Sequence, residues 1–283
     1  VNGSHVTRKA ARGLARYVEN GGKLYTSGWG LVRDESNGPL TDLLSVLGLE
    51  SRQEAEMWYQ VSLYGAGTIE SYDEPKNQLA PVPAGAVIKG GDAFDGSLLP
   101  VIGREVLRPE RDTRVLARFA DGSAAMTSHD FGKGRAFVAG FFPGLEYSAT
   151  VRRPDFDMRR DFDSLRRLAV AAPALELTQP IVDASDPLVE GVLLKNDANG
   201  MRAVTLANWA YGVKAIREDA SGRRRQVIRH LPVKSIRVTI RTSEKTTNVV
   251  SCILRRNLHF SRSGDAIVVD LPKLAEGDVL LLR

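Results

Sequence analysis

From Gly132 to Tyr147 the chain reads GKGRAFVAGFFPGLEY. Its centre, Arg135 to Phe142, is dense in apolar and aromatic residues and is bounded by glycines on both sides, the pattern of a buried strand that leaves a tight turn and enters a loop. Loops that follow strands are where α/β proteins place much of their chemistry. This loop offers Pro143, Gly144, Leu145, Glu146 and Tyr147, with Ser148 as the nucleophile in immediate reach and neither histidine nor cysteine beside it. No reaction is named by such a loop.

The residues leading up to this strand alternate between helix and strand. Ala10, Ala11, Leu14, Ala15 and Val18 share one helical face, with Arg8, Lys9, Arg12 and Arg16 outside it. Thr7 can cap the start of that helix, while Asn20, Gly21 and Gly22 stop it. KLYTS, residues 23–27, then reads as a short strand, so the opening is half of a β-α-β unit. A second helix is expected from Leu40 to Leu47. From Ser51 to Pro109 periodicity weakens into short β-like runs at Gln60–Tyr64, Ala86–Lys89 and Val101–Leu107. Arg114–Phe119 and Ser123–Ser128, split by Ala120, Asp121 and Gly122, carry a strong hairpin signal. A helix from Asp155 to Ala171 follows, and Ala171–Pro180, with two prolines, is the expected domain boundary.

Beyond that boundary the pattern is all strand. Runs at Leu188–Lys195, Ala203–Asn208, Ile236–Arg241, Val249–Leu254, Ala266–Leu271 and Val279–Leu282, with turn residues between them, fit a β-sandwich. The 283 residues are therefore expected to form an α/β domain over 1–172 and an all-β, immunoglobulin-like sandwich over 181–283. The net charge of +5 is uneven: residues 181–283 hold 17 Lys and Arg against 11 Asp and Glu. Many of those cations alternate with apolar residues, as solvated strand faces do, and Arg223, Arg224 and Arg225 follow Ser221-Gly222 as an exposed hairpin would. Without interleaved aromatics, nucleic acid is disfavoured as a partner.

Charge or glycine breaks every apolar run within about ten residues, against the roughly 20 that a membrane-spanning helix needs, so no membrane partner is expected. The chain opens at Val1 without a signal-peptide pattern and reads as a piece of a longer polypeptide or a processed form. Cys252, the sole cysteine, lies in the strand-like run NVVSCIL and is expected to be buried and inert. His5, His129, His230 and His259 are scattered, so neither a metal nor another cofactor is expected.

ARYVENGGKLYTSGWG, RDESNGPL, the helix closing on VLGL and the hairpin entering GKGRAFVAGFFPGLEY together resemble the class I glutamine amidotransferase-like domain of trimerising β-galactosidases. VTLANWA and LPKLAEGDVLLLR resemble the β-sandwich that closes many such glycosidase chains. The resemblance implies a partial three-layer α/β domain plus an all-β C-terminal sandwich. It also implies a non-catalytic accessory or assembly role beside an upstream catalytic domain or within a homo-oligomer. Active members of the amidotransferase class use a cysteine and a His-Pro-Glu run. Here Phe142 and Gly144 flank Pro143 where that His and Glu would stand, so glutaminase chemistry is disfavoured.

Trp29, Asp34, Glu35, Glu146 and Tyr147 lie in two loops that each follow a strand, and parallel pairing of those strands would bring both loops to one sheet edge. Aromatic rings facing sugar C–H patches and carboxylates accepting hydroxyl hydrogen bonds suit a carbohydrate ligand. The same residues can instead pack the sheet edge and cap helices. Two alternatives stay open: an independent glycoside hydrolase pairing Glu146 with Asp34 or Glu35, and an anion or nucleic-acid binder using the basic sandwich.

Overall fold

A computed structural model describes residues 3–53, 55–59, 79–100, 102–147, 155–162, 171 and 179–283; the side chains of Leu145 and Tyr147 fall outside that description. The run expected at Gln60–Tyr64 lies outside the described residues, as do Val101, Ser148 and much of the helix expected at Asp155–Ala171. Strand predominates over helix, and the chain divides into two compact units. Described residues 3–147 belong to the first, and 155–162 with 179–283 to the second.

In the first unit α1, Arg8–Glu19, begins where the Thr7 hydroxyl accepts the Ala10 N–H at 3.1 Å and ends at Asn20. It delivers the chain to β1, Lys23–Thr26. A one-turn α2, Leu44–Leu47, closes on Gly48, whose φ of 64° and close packing against Thr113 and His129 leave no room for a side chain. Short strands follow: β2 at Leu49–Ser51, β3 at Glu56–Met57, β4 at Ile88–Lys89, β5 at Ser97–Leu98, β6 at Gly103–Arg104 and β7 at Arg108–Pro109. The longer β8, Arg114–Phe119, and β9, Ala124–Phe131, form the expected hairpin, and β10, Gly134–Ala139, is the central apolar run.

The six-stranded sheet runs β1-β10-β9-β8-β4-β5, and β1 with β10 is its parallel pair; every other neighbour is antiparallel. This overturns the expected three-layer α/β domain. Tight turns join β8, β9 and β10, which forces antiparallel pairing and removes the crossover helices that a doubly covered parallel sheet requires. Ala136 and Val138 of β10 pack with α1 on one face, against Ala11 and Val18. On the opposite face Phe137, Ala139 and Phe141 meet Ile88, Phe94 and Leu98, which come from short strands and loops rather than from a helix.

α3, Pro143–Tyr147, follows β10. In the second unit α4, Met158–Asp161, is one turn capped by Asp157, and Phe162 follows it in an extended conformation at ψ 124°. Thereafter come β11 at Val182–Ala184, β12 at Val189–Lys195, β13 at Arg202–Asn208, β14 at Tyr211–Glu218, β15 at Arg224–His230 and β16 at Val233–Arg241. The last five are β17 at Val249–Ser251, β18 at Arg256–Asn257, β19 at Phe260–Ser263, β20 at Ala266–Leu274 and β21 at Gly277–Leu282. A four-stranded sheet, β11-β16-β20-β19, and a five-stranded one, β12-β13-β21-β17-β18, are antiparallel throughout. Val238, Ile240 and Val269 of one and Val204, Leu280 and Leu282 of the other share a single apolar cluster, which makes the pair a sandwich. β14 and β15 form a separate hairpin around Arg223, Arg224 and Arg225. Cys252 is exposed, correcting the expectation of a buried thiol: the Ser251 hydroxyl and the Ile253 N–H both donate to the Asp278 carboxylate, so the chain turns after Ser251 instead of continuing as strand. Among the described residues no helix is long and apolar enough to cross a membrane.

Candidate functional site

The parallel register of β1 and β10 sets the site, because it carries the chain that follows each strand to the same sheet edge. Gly28 N–H donates to the Phe141 carbonyl at 2.7 Å, and a Cβ on Gly28 would stand 2.7 Å from that oxygen, so only glycine permits the approach. Trp29 then takes φ 58° and Leu31 φ 60°, conformations that side-chain-bearing residues seldom adopt. A tight turn, with Gly30 N–H donating to the Ser27 carbonyl at 2.9 Å, puts Trp29 half-buried at the mouth of a cleft of about 240 Å³.

What holds this strained turn is a pair of residues to which sequence reasoning gave no role. The Arg52 guanidinium donates to Glu105 through Nε at 2.7 Å and through a terminal nitrogen at 2.6 Å, a bidentate pair whose side chains are 6% and 0% exposed. The remaining donors of Arg52 reach the carbonyls of Gly30 and, at 3.4 Å, Ser27. Trp29 N–H donates to the same Glu105 carboxylate at 2.7 Å. Backbone groups that the turn removes from any ladder thus find charged partners, which is how irregular backbone is buried without losing its hydrogen bonds. Glu105 is itself fixed to the sheet, its N–H donating to the Gly140 carbonyl at 2.8 Å.

The carboxylates singled out in the sequence are dispersed. Asp34 is buried and accepts from Gly38 N–H at 2.7 Å, Ser36 N–H at 3.0 Å and Arg8 Nε at 3.0 Å. The Gly38 N–H above all, then Ser36 N–H and Arg8, hold its carboxyl below the ordinary range against the opposing effect of burial. Glu35 is exposed and accepts the Arg8 N–H at 2.8 Å, at the first residue of α1. Asp34 and Glu35 thus converge on Arg8, while Glu146, wholly buried in α3, accepts the Ile102 N–H at 2.8 Å. Tyr147 ends α3, and its side chain is outside the described part. Of the five, Trp29 lines the cleft, together with Arg33, Thr41, Ser51, Arg52 and Gln53 among others. The lining combines an indole, two hydroxyl-bearing residues, an amide and the Arg33 guanidinium, groups able to stack on a ring and to hydrogen-bond a polar ligand. Among the described lining residues there is no carboxylate or imidazole to act as acid or base. Among the described residues no group of three His, Cys, Asp or Glu is placed to hold a metal ion.

No protein-family model matches the sequence, and comparison with curated proteins finds no match. Solved structures do match. An α-L-fucosidase, isoenzyme 2 from Paenibacillus thiaminolyticus, aligns at a TM-score of 0.56 and 10% identity over 100% of this chain and 40% of its own. A β-galactosidase from Rahnella sp. R3 aligns at 0.53 and 15% over 99% of this chain and 31% of its own. The β-galactosidase from Bacillus circulans sp. alkalophilus gives 0.51 and 16%, over 99% and 32%. At such identities the likeness is one of fold: this chain is built as a part of these glycosidases is, over less than half of their length.

Proposed function

We propose that this chain is a non-catalytic accessory and assembly region of a larger carbohydrate-active protein, and that it holds a glycan against Trp29. The observation that carries the reading is the braced turn: a buried bidentate ion pair fixes a strained loop whose outward product is a half-buried indole at a cleft lined with hydroxyl, amide and guanidinium groups. A sugar presents an apolar C–H face to such a ring and hydroxyls to such a rim. Asp34 and Glu35 shape the neighbouring loop through Arg8. Their engagement, and the enclosure of Glu146, favour this role over hydrolysis, since a general acid needs both access and a raised pKa. The fold shared with glycosidases supports carbohydrate as the ligand class.

The test is saturation-transfer NMR on the full chain with methyl β-D-galactopyranoside and methyl α-L-fucopyranoside. Transfer to the ring protons of at least one of them is expected, weakened at least tenfold by Trp29→Ala, with no release of nitrophenol from the matching nitrophenyl glycosides. Turnover that falls in Glu146→Gln would transfer the assignment to the hydrolase reading, and binding indifferent to Trp29→Ala would remove the site.

A further inference from the structure

The ladder between β16 and β20 is interrupted at one place. Between the registered pairs Lys234↔Lys273 and Ile236↔Leu271, Ser235 faces Pro272, which has no N–H to give, and Ser235 takes φ 55°, outside the extended region. Alternation fails there on both strands, so that Lys234 with Ser235, and Pro272 with Lys273, are successive exposed residues. A pocket of about 390 Å³ opens at this break, a volume in the range of small-molecule sites. The rest of its lining is residues 256–259, where the chain passes from β18 in one sheet to β19 in the other. Buried Ile236, Leu258 and Leu271 supply its apolar part. Its polar part is rich in donors. His259 is tied to Asp270 twice, through Nδ1 at 3.0 Å from the carboxylate and through its carbonyl, which accepts the Asp270 N–H at 3.0 Å, so Nε2 is left to a ligand. The Asn257 side-chain oxygen accepts from Asn248 at 3.1 Å and leaves its amide N–H groups as donors.

We infer that this pocket binds an acidic sugar, one ring that carries a carboxylate or sulfate group. Charge selects the occupant. The one acid of the lining, Asp270, is already engaged by His259. Beside it stand exposed Arg256 in the lining, Arg237 in register with Asp270, and the pair Lys234 and Lys273; among the described residues none of these four cations is in an ion pair. Like charges directly opposite one another on neighbouring strands destabilise the pair, and a bound anion relieves that cost. The Arg256 guanidinium can take a carboxylate or sulfate through two parallel bonds, while Ser235, Asn257 and Asp270 meet ring hydroxyls. No Trp, Tyr or Phe is among the described lining residues, so charge rather than stacking supplies the hold, the reverse of the Trp29 cleft.

That an anion binds rests on the pocket; that a sugar carries it rests on the carbohydrate reading above. The test is residue-resolved amide chemical-shift titration of the full chain, which separates this pocket in the second unit from the Trp29 cleft in the first. The probes are methyl β-D-glucopyranosiduronic acid and galactose 6-sulfate, against methyl β-D-glucopyranoside, galactose and inorganic sulfate. At least one acidic sugar is expected to shift residues 256–259 and 270–273, about tenfold more tightly than its neutral counterpart and than inorganic sulfate. Added salt should weaken that binding. Arg256→Ala, at an exposed position, should weaken it at least fivefold, and Lys273→Ala by less; circular dichroism establishes that each variant folds. Shifts at Trp29 with none here would remove this inference alone, whereas silence at both sites would remove the proposed function with it. Equal binding of the neutral glycosides, equal binding of inorganic sulfate, or indifference to Arg256→Ala also overturns it.

Discussion

The two units bury polar groups for different ends. Under the Trp29 turn the first unit encloses a complete ion pair, Arg52 with Glu105, together with Glu146. The second unit fills its interior with aliphatic side chains; its buried Arg202 reaches outward to the half-exposed Glu244, and Asn208 and Asp278 fasten turns at strand ends. Sheet ladders satisfy their own backbone, so a sandwich needs polar anchors only where strands stop. A turn with two residues at positive φ has no ladder, and full charges take its place. Polar anchors should therefore matter more in the first unit than in the second, and the following measurements rank them.

Glu105→Ala strands the Arg52 guanidinium and the Trp29 N–H, and should cost about 3–5 kcal/mol in the unfolding of the first unit, read by urea denaturation of the full chain. A loss under about 1 kcal/mol would erase the contrast. Asn208→Ala removes the bonds its side-chain amide donates to the Leu231 and Ala275 carbonyls, with an expected loss of about 1–3 kcal/mol in the second unit. If it matched Glu105→Ala, the ranking by ladder would fail. Ile240→Val, in the apolar cluster, should cost about 0.5–1.5 kcal/mol and calibrates what packing alone contributes there. The smallest effect is expected in acid. The Ser123 hydroxyl, with Arg104, brings Asp121 down to about 2, and the Ser221 hydroxyl does the same for Asp219 in the other unit. A depressed carboxyl contributes stability above its unfolded value near 3.8, and that contribution is lost as the pH falls through 2. Asp121→Asn and Asp219→Asn should each lower stability slightly at neutrality, flatten the stability curve between about pH 4 and 2, and leave it unchanged below about pH 2. A neutral-pH loss from either comparable to Glu105→Ala would contradict the scheme.

Local signals in the sequence were legible where the stabilising partner was also local. Thr7 and the Ala11/Val18 face announce α1, and Ala120-Asp121-Gly122 announces the β8–β9 hairpin. What misled was pairing at a distance. Helix followed by strand near the start reads as half of a parallel α/β layer, but β10 reaches β1 from an antiparallel hairpin more than 100 residues later, and that long-range choice decides the sheet. NVVSCIL looks like an unbroken strand because Asp278, whose carboxylate ends it, is 25 residues beyond Ile253. Trp29 was visible as a loop aromatic. Its brace was not, since Arg52 and Glu105 stand 53 residues apart in the stretch with the weakest periodicity.

Cys252, the chain's single thiol, stands exposed one residue beyond the end of β17. The chain thereby carries a chemical handle: one maleimide-linked dye per molecule, attached without any engineering, that reports on the turn after β17.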